Sequence, residues 1–141
     1  MEILGSPRII ELPKICDPRG NLSVIESMEN VPFKIARAYW IYDVPAGKER
    51  NGHAFKTQDE FIIALSGSFD VVVNDGESSN LFHLARSYYG LYIPHLTWRE
   101  LNNFSTNSVA LVLSSTTYEA EDYIEDFGEF KSVLQNYVRH T

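Results

Sequence analysis

The chain has 141 residues, 44% of them hydrophobic, which suffices for the core of one domain and leaves little room for a second. Nineteen acidic against twelve basic residues give a formal charge of −7, which argues against a nucleic acid partner. Cys16 is the only cysteine, so an internal disulfide and a zinc site built from several cysteines are excluded.

The N-terminal segment MEILGSPRII has no basic region followed by an apolar run, so it does not resemble a secretion signal. No stretch of the chain approaches the roughly 20 apolar residues that span a bilayer. We therefore expect a soluble, cytoplasmic protein that does not enter a membrane.

Short segments rich in Val, Ile, Tyr and Phe then follow one another, separated by Gly, Pro, Asn or Asp, as is typical of β-strands. In chain order they are RIIELP, NLSVIE, IARAYWIYDV, DEFIIALSG, SFDVVVNDG, NLFHLA, GLYIPHLTWREL and SVALVLSS. This pattern predicts an all-β sandwich of two antiparallel sheets over about residues 6–115.

Two local signals refine this prediction. Asn74-Asp75-Gly76 predicts a tight hairpin, because Asp-Gly tolerates the positive φ angles of such turns. Helical spacing of Phe127, Phe130, Leu134 and Tyr137 predicts a short C-terminal helix within a tail over about 118–138, although Gly128 weakens it. We treat residues 1–141 as a single domain.

The segment GKERNGHAFKTQDEFIIALSG carries the spacing of the first cupin motif, G(x)5HxH(x)3-4E(x)6G. Gly47, His53, Glu60 and Gly67 are in register, while Phe55 replaces the second histidine. The fold expected is therefore a cupin jelly roll, a double-stranded β-helix whose interior can hold a ligand. Alternation along a strand predicts that His53 and Phe55 face the same side.

The second cupin motif, G(x)5PxG(x)2H(x)3N, is matched loosely by GLYIPHLTWRELNN, with Arg99 where the histidine would stand. A divalent metal usually needs three or four N or O donors, and the two motifs supply only His53 and Glu60. A site that adds His95 is disfavoured by its spacing. We therefore predict neither a bound metal nor another cofactor.

Five blocks carry a closer resemblance that covers about residues 10–130. They are ELPKICDPRGNLSVIE, IYDVPAGKERNGHAFK, FIIALSGSFDVVVNDG, YYGLYIPHLTWRELNNFS and LVLSSTTYEAEDYI. They resemble the dTDP-4-keto-6-deoxyglucose 3,4-ketoisomerases, the WxcM-like cupins of deoxysugar biosynthesis. The resemblance implies a metal-independent enzyme, a homodimer that exchanges N-terminal strands, and transfer of a carbonyl from C4 to C3 of a dTDP-linked sugar.

The family motif R-G-x-H-A-H places both histidines at the sugar. By this resemblance Arg50 matches the arginine, His53 the first histidine, and Phe55 the position of the second. Arg19 in DPRG and Arg99 in TWRE match active-site positions that vary among family members and bear on which C4 epimer forms.

The chemistry requires a base at C3, donors for the enediolate, and an acid at C4. His53 is the predicted acid and base, because histidine's ordinary pKa of about 6.5 permits both steps near neutrality. Arginines suit diphosphate and oxyanions, and aromatic rings can stack on thymine. The predicted substrate-binding residues are Arg50, Arg99, Arg19, Arg37, Glu60, Phe55, Tyr39 and Trp98.

Alternatives remain open at this stage. The protein is an enzyme of the sugar-nucleotide isomerase class if His53 transfers protons without a second histidine. It is a cupin that binds sugar nucleotides without catalysis if the change to Phe55 abolished turnover. Two further alternatives are a 3,5-epimerase-like activity on the same substrate and a metal-dependent, dioxygenase-like cupin. A surface glycan such as the O-antigen, or a secondary metabolite, is the expected destination.

Overall fold

A computed structural model describes residues 5–140, apart from the side chains of Asn51 and of residues 138–140. Its strands are β1 Arg8–Glu11, β2 Lys14–Ile15, β3 Leu22–Ser23, β4 Arg37–Ile41, β5 Arg50–Phe55, β6 Glu60–Ser66, β7 Phe69–Asn74, β8 Ser79–Leu84, β9 Tyr89–Ile93, β10 Trp98–Asn102, β11 Val109–Ser114 and β12 Tyr123–Ile124. A 3-10 helix, Ala120–Asp122, precedes β12, and one α-helix, α1 Phe127–His140, follows it.

The strands form two five-stranded antiparallel sheets and a small arm. The first sheet has the order β1-β9-β6-β11-β4, and the second has the order β12-β5-β10-β7-β8. Among the described residues, strands β2 and β3 pair only with each other. The all-β prediction is confirmed. The chain passes from one sheet to the other several times, so strands that neighbour each other in a sheet are often distant in sequence.

The main core lies between the two sheets and follows the alternation of the strands. Ile62 and Ala64 of β6, Val71 and Val73 of β7, and Val112 of β11 belong to one buried cluster. Side chains at every second position reach this interior because successive residues of a strand point to opposite faces.

The outer face of the first sheet is covered by the chain itself. Phe61 and Ile63 alternate with the core residues of β6 and pack with Val31 and Phe33 from the segment that precedes β4. Residues 60–64 are therefore buried on both faces, which explains why FIIA reads as a continuous apolar run. The segment NLSVIE, predicted as a strand, is extended only at β3 because most of it serves as this cover.

The C-terminal helix covers the second sheet. Phe130, Val133, Leu134 and Tyr137 pack against a cluster that includes Ala54 of β5. The helix begins at Phe127, later than the predicted tail, because β12 occupies residues 123–124. Its first turn tolerates Gly128, because the Asp126 carboxylate accepts a hydrogen bond from the Glu129 N–H at 2.9 Å.

The predicted hairpin is confirmed between β7 and β8, where Asn74 pairs with Ser79. Gly76 has a φ of 102°, and its N–H donates to the Asn74 side-chain oxygen at 2.7 Å. The segment GLYIPHLTWREL, read as one strand, is divided into β9 and β10 at residues 94–97, where Leu96 adopts a φ of 58°. No helix of the described residues is both long and apolar enough to cross a membrane.

Candidate active site

The pairing of β5 with β10 brings the two sequence motifs together. Arg99 lies directly opposite His53, and Leu101 lies opposite Arg50. Three residues of β10, 99–101, thus match four residues of β5, 50–53, so β5 contains a bulge. Opposite residues in an antiparallel pair share a face, which places His53 beside Arg99 although the two are far apart in sequence.

The first sheet contributes a second row of polar side chains. Ser114 of β11 lies opposite Arg37 on one side and opposite Glu60 on the other. Tyr39 stands two residues after Arg37 on β4 and therefore faces the same way. This row faces the second sheet, so the polar residues of both sheets meet at one end of the interior.

A cavity of about 610 Å³ opens there, between the two sheets and the start of α1. Ile41, Ile62, Leu101 and Val112 supply apolar lining, which is continuous with the core. The other lining residues are Tyr39, Glu49, Arg50, Gly52, His53, Glu60, Trp98, Arg99, Tyr123, Glu125, Asp126 and Phe127. The volume falls within the range of ordinary small-molecule sites.

A buried ion pair joins the sheets across this cavity. The Arg99 guanidinium donates to Glu60 Oε1 at 2.6 Å, and both side chains are only 1% exposed. Arg99 also donates to the Thr97 carbonyl oxygen at 3.1 Å. Glu60 Oε2 accepts from Tyr39 at 2.7 Å and from Gln58 at 2.7 Å. The Glu60 carboxylate is therefore held from several directions, as a buried charge requires.

Tyr39 is a hydrogen-bond donor in this network. Burial, and then the nearby negative charge of Glu60, raise the pKa of the Tyr39 phenol. Both causes favour the protonated phenol, which keeps its hydrogen directed at the carboxylate. Tyr39 thus fixes Glu60, which in turn fixes Arg99.

An aromatic wall stands beside His53. The His53 ring meets the Phe55 ring edge-on with centroids 5.1 Å apart, and it lies 5.8 Å from the Tyr123 ring. Phe55 and Tyr123 are opposite each other on β5 and β12, with ring centroids 4.6 Å apart. The Arg99 guanidinium lies 5.0 Å from the Phe55 centroid, a cation–π distance.

The predicted site residues divide into three groups. His53, Arg50, Arg99, Glu60, Tyr39 and Trp98 line the cavity. Phe55 and Arg37 lie behind its wall: Phe55 faces the same side as His53 but is fully buried, and Arg37 donates to Gln58 at 3.1 Å. Arg19 lies outside the cavity, in the turn between β2 and β3, where it pairs with Asp17 at 2.8 Å and is 90% exposed.

Several lining residues were not predicted. Tyr123 belongs to a two-residue strand that is too short for a periodic signal, and Phe127 was attributed to the packed face of a helix. Gly52 is required for a close approach, because a Cβ there would lie 2.5 Å from the Trp98 ring. The sequence could have indicated Gly52 as a site residue only through its position directly before His53.

The cavity does not have the donor set of a metal site. Among the described residues there is no group of three or more His, Cys, Asp or Glu side chains that could hold a metal ion. His95 lies elsewhere: its backbone N–H and Nδ1 are 2.8 and 2.9 Å from Asp59 Oδ1, and its ring faces Tyr137 of α1. The arginine at the metal-ligand position of the second motif instead binds Glu60.

Comparisons with known proteins agree with this architecture. The chain matches the family described as FdtA: WxcM-like, C-terminal over residues 6–135. It is 35% identical over 127 residues to the TDP-4-oxo-6-deoxy-alpha-D-glucose-3,4-oxoisomerase of Aneurinibacillus thermoaerophilus, covering 90% of this chain and 91% of that protein.

Two solved structures are similarly close. The TDP-quinovose 3,4-ketoisomerase WlaRB of Campylobacter jejuni is 40% identical with a TM-score of 0.87, covering 89% of this chain and 97% of that one. A histidine-to-asparagine mutant of the 3,4-ketoisomerase QdtA of Thermoanaerobacterium thermosaccharolyticum, in complex with TDP-4-keto-6-deoxyglucose, is 30% identical. Its TM-score is 0.90, and the match covers 95% of this chain and 97% of that one.

Proposed function

Because this chain belongs to the WxcM-like (FdtA) family, we propose that it is a 3,4-ketoisomerase acting on a dTDP-4-keto-6-deoxyhexose. The observation that carries the proposal is the position of His53 in the wall of the cavity, directly opposite Arg99. A proton-transfer group and a buried cation in a partly apolar cavity suit a reaction that passes through an enediolate.

His53 takes the proton from C3 and later returns a proton to the adjacent C4 on the same face of the sugar. Negative charge develops on the oxygen at C4 meanwhile, and the Arg99 guanidinium stabilises it from a fixed position. Because Glu60 and Thr97 already hold Arg99, little reorganisation accompanies the charge development. The two cupin motifs supply only His53 and Glu60 as metal ligands, because Phe55 and Arg99 stand at the other ligand positions, so we propose a metal-independent reaction.

The remaining lining residues suit the nucleotide. Arg50 offers a planar fork for diphosphate oxygens. Trp98 and Phe127, with ring centroids 5.3 Å apart, form an aromatic surface for thymine. Tyr39 is bound to Glu60 and is therefore assigned to the sugar end of the cavity. Arg37 supports this end through Gln58, which also donates to Glu60.

The proposal is tested by proton NMR of dTDP-4-keto-6-deoxyglucose in D2O with the purified protein. We expect the signals of a 3-keto isomer, with deuterium at C4 of the product. Deuterium at C5, with no 3-keto sugar, would instead indicate the 3,5-epimerase-like reaction. An unchanged substrate that still binds would refute the isomerase and leave a binding protein.

Comparing the activity of wild type with that of Phe55→His distinguishes an enzyme from a binding protein that lost catalysis when phenylalanine replaced the second histidine. We expect an active wild type, with Phe55→His changing kcat by no more than a few-fold, since Phe55 is fully buried behind the cavity wall. The free energy of unfolding of this variant should be lower by about 1–3 kcal/mol, because an imidazole replaces a phenyl ring packed between Arg99 and Tyr123.

Phe69→His is the matched control, because Phe69 is equally buried but packs on Phe104 away from the cavity. It should show a comparable loss of stability in urea unfolding. An inactive wild type that gains turnover through Phe55→His would contradict the proposal and support the binding protein.

We also propose that the protein is a homodimer. The first sheet exposes Trp40 and Leu65 by 59% and 50%, and the β2–β3 arm exposes Ile15 and Leu22 by more than half. Exchange of this arm between subunits, as the family resemblance implies, would bring Arg19 to the partner's cavity. Light scattering at micromolar concentration tests the dimer, and a monomer mass would contradict it.

The proposed product is a 3-keto sugar nucleotide, which an aminotransferase converts into a 3-amino sugar. We place this reaction in the cytoplasm and assign the sugar to a surface glycan such as the O-antigen or to a secondary metabolite. Cell fractionation that finds the protein elsewhere would contradict this placement.

A further inference from the structure

The proposed isomerisation moves two protons, and His53 accounts for only one of them. The first is the carbon-bound proton, which is removed from C3 and replaced at C4, and this transfer is assigned to His53. The second passes from the C3 hydroxyl oxygen to the C4 oxygen, because the carbonyl and the hydroxyl exchange places. A group that both gives and accepts an oxygen-bound proton is therefore needed beside the histidine.

Tyr39 and Glu60 are committed to each other. The Tyr39 hydroxyl donates to Glu60 Oε2 at 2.7 Å, and its pKa is raised by burial and by that carboxylate. Glu60 accepts hydrogen bonds from Arg99, Tyr39, Gln58 and Ser114. A proton moved to or from either group would disrupt the buried ion pair, so neither suits the transfer.

Tyr123 is the other phenol in the cavity wall. It is half-buried, its ring centroid lies 5.8 Å from that of His53, and the two ring planes are inclined by only 35°. Tyr123 and His53 both line the cavity. A ligand bound there can therefore contact both side chains.

The position of Tyr123 is fixed by packing and by backbone pairing. Strand β12 pairs with β5 and places Tyr123 opposite Phe55. The two rings meet at 4.6 Å and 63°, so Phe55 holds the Tyr123 ring from behind. The role of Phe55 on this view is to orient both neighbours, His53 at 5.1 Å and Tyr123, without touching the sugar.

We propose that Tyr123 is a catalytic residue that carries the oxygen-bound proton, an inference that rests on the proposed function. As neutral His53 removes the C3 proton, the C3–C4 double bond forms and the Tyr123 phenol protonates the C4 oxygen. Tyr123 is then a phenolate and His53 an imidazolium. The phenolate removes the proton of the C3 hydroxyl, the C3 carbonyl forms, and His53 protonates C4. Both side chains return to their starting states.

The test is Tyr123→Phe, which removes only the hydroxyl and keeps the ring against Phe55. We expect kcat to fall about 10²- to 10⁴-fold, the usual contribution of a proton-transfer group, with the affinity for TDP unchanged. Exchange of the C3 proton for deuterium in recovered substrate should persist, because His53 is intact. The ratio of exchange to isomerisation should therefore rise at least about tenfold.

Tyr118→Phe is the matched control. Tyr118 is 64% exposed, it does not line the cavity, and its ring is 5.8 Å from that of Tyr123. Its variant should keep wild-type rates. Near wild-type isomerisation by Tyr123→Phe would overturn the inference, and so would a parallel loss of exchange and isomerisation. A wild type that makes no 3-keto sugar would refute the proposed function itself, which distinguishes the two failures.

Discussion

Replacing Glu60 by alanine is expected to lower the free energy of unfolding by about 3–5 kcal/mol, because it leaves a charged Arg99 in the interior without a counter-ion. Both side chains are 1% exposed, so the remaining guanidinium is poorly solvated in the folded protein. The substitution also removes the acceptor of the Tyr39 and Gln58 side chains. Urea unfolding at fixed protein concentration, followed by tryptophan fluorescence, measures the loss.

Two further variants make this result specific. Glu100→Ala, in the residue that follows Arg99 on β10, removes an exposed carboxylate and should change stability by no more than about 0.5 kcal/mol. The double variant Glu60→Leu and Arg99→Leu should lose much less than the sum of the two single leucine variants, because it buries no unpaired charge. Additive losses would show that the ion pair does not hold the two sheets together at this point.

The sequence predicted the sheets well because their signal is local. Apolar alternation and turn residues identified most strands, and the spacing from Gly47 to Gly67 located His53, which lines the cavity. Arg99 was also predicted, because its motif surrounds it with Pro94 and Asn103. These residues lie on regular strands, where a short pattern determines which face a side chain occupies.

The remaining parts of the site depend on contacts between distant segments. Nothing near Tyr123 shows that β12 will pair with β5, since two residues are too few for a periodic pattern. Glu60 was predicted as a substrate-binding residue, but only the packing of the two sheets reveals Arg99 as its partner. Arg19 illustrates a different limit: in one chain it is exposed beside Asp17, and its proposed role requires a second subunit.

His53→Asn should lower the kcat of isomerisation at least about 10²- to 10⁴-fold, because the base at C3 is lost. Asparagine keeps a polar side chain of similar size at this half-buried position, so stability and TDP affinity should change little. His83→Asn is the matched control, since His83 is 53% exposed and pairs with Asp70 on the other face of the sheet. It should keep wild-type activity.

Isotope exchange gives His53→Asn a signature that Tyr123→Phe should lack. Without His53 no group removes the C3 proton, so deuterium should enter neither substrate nor product. With His53 present and the Tyr123 hydroxyl absent, deuterium should still enter recovered substrate while the 3-keto sugar accumulates slowly. Substantial exchange at C3 in His53→Asn would mean that another residue is the base, and the assignment of both proton-transfer roles would then fail together.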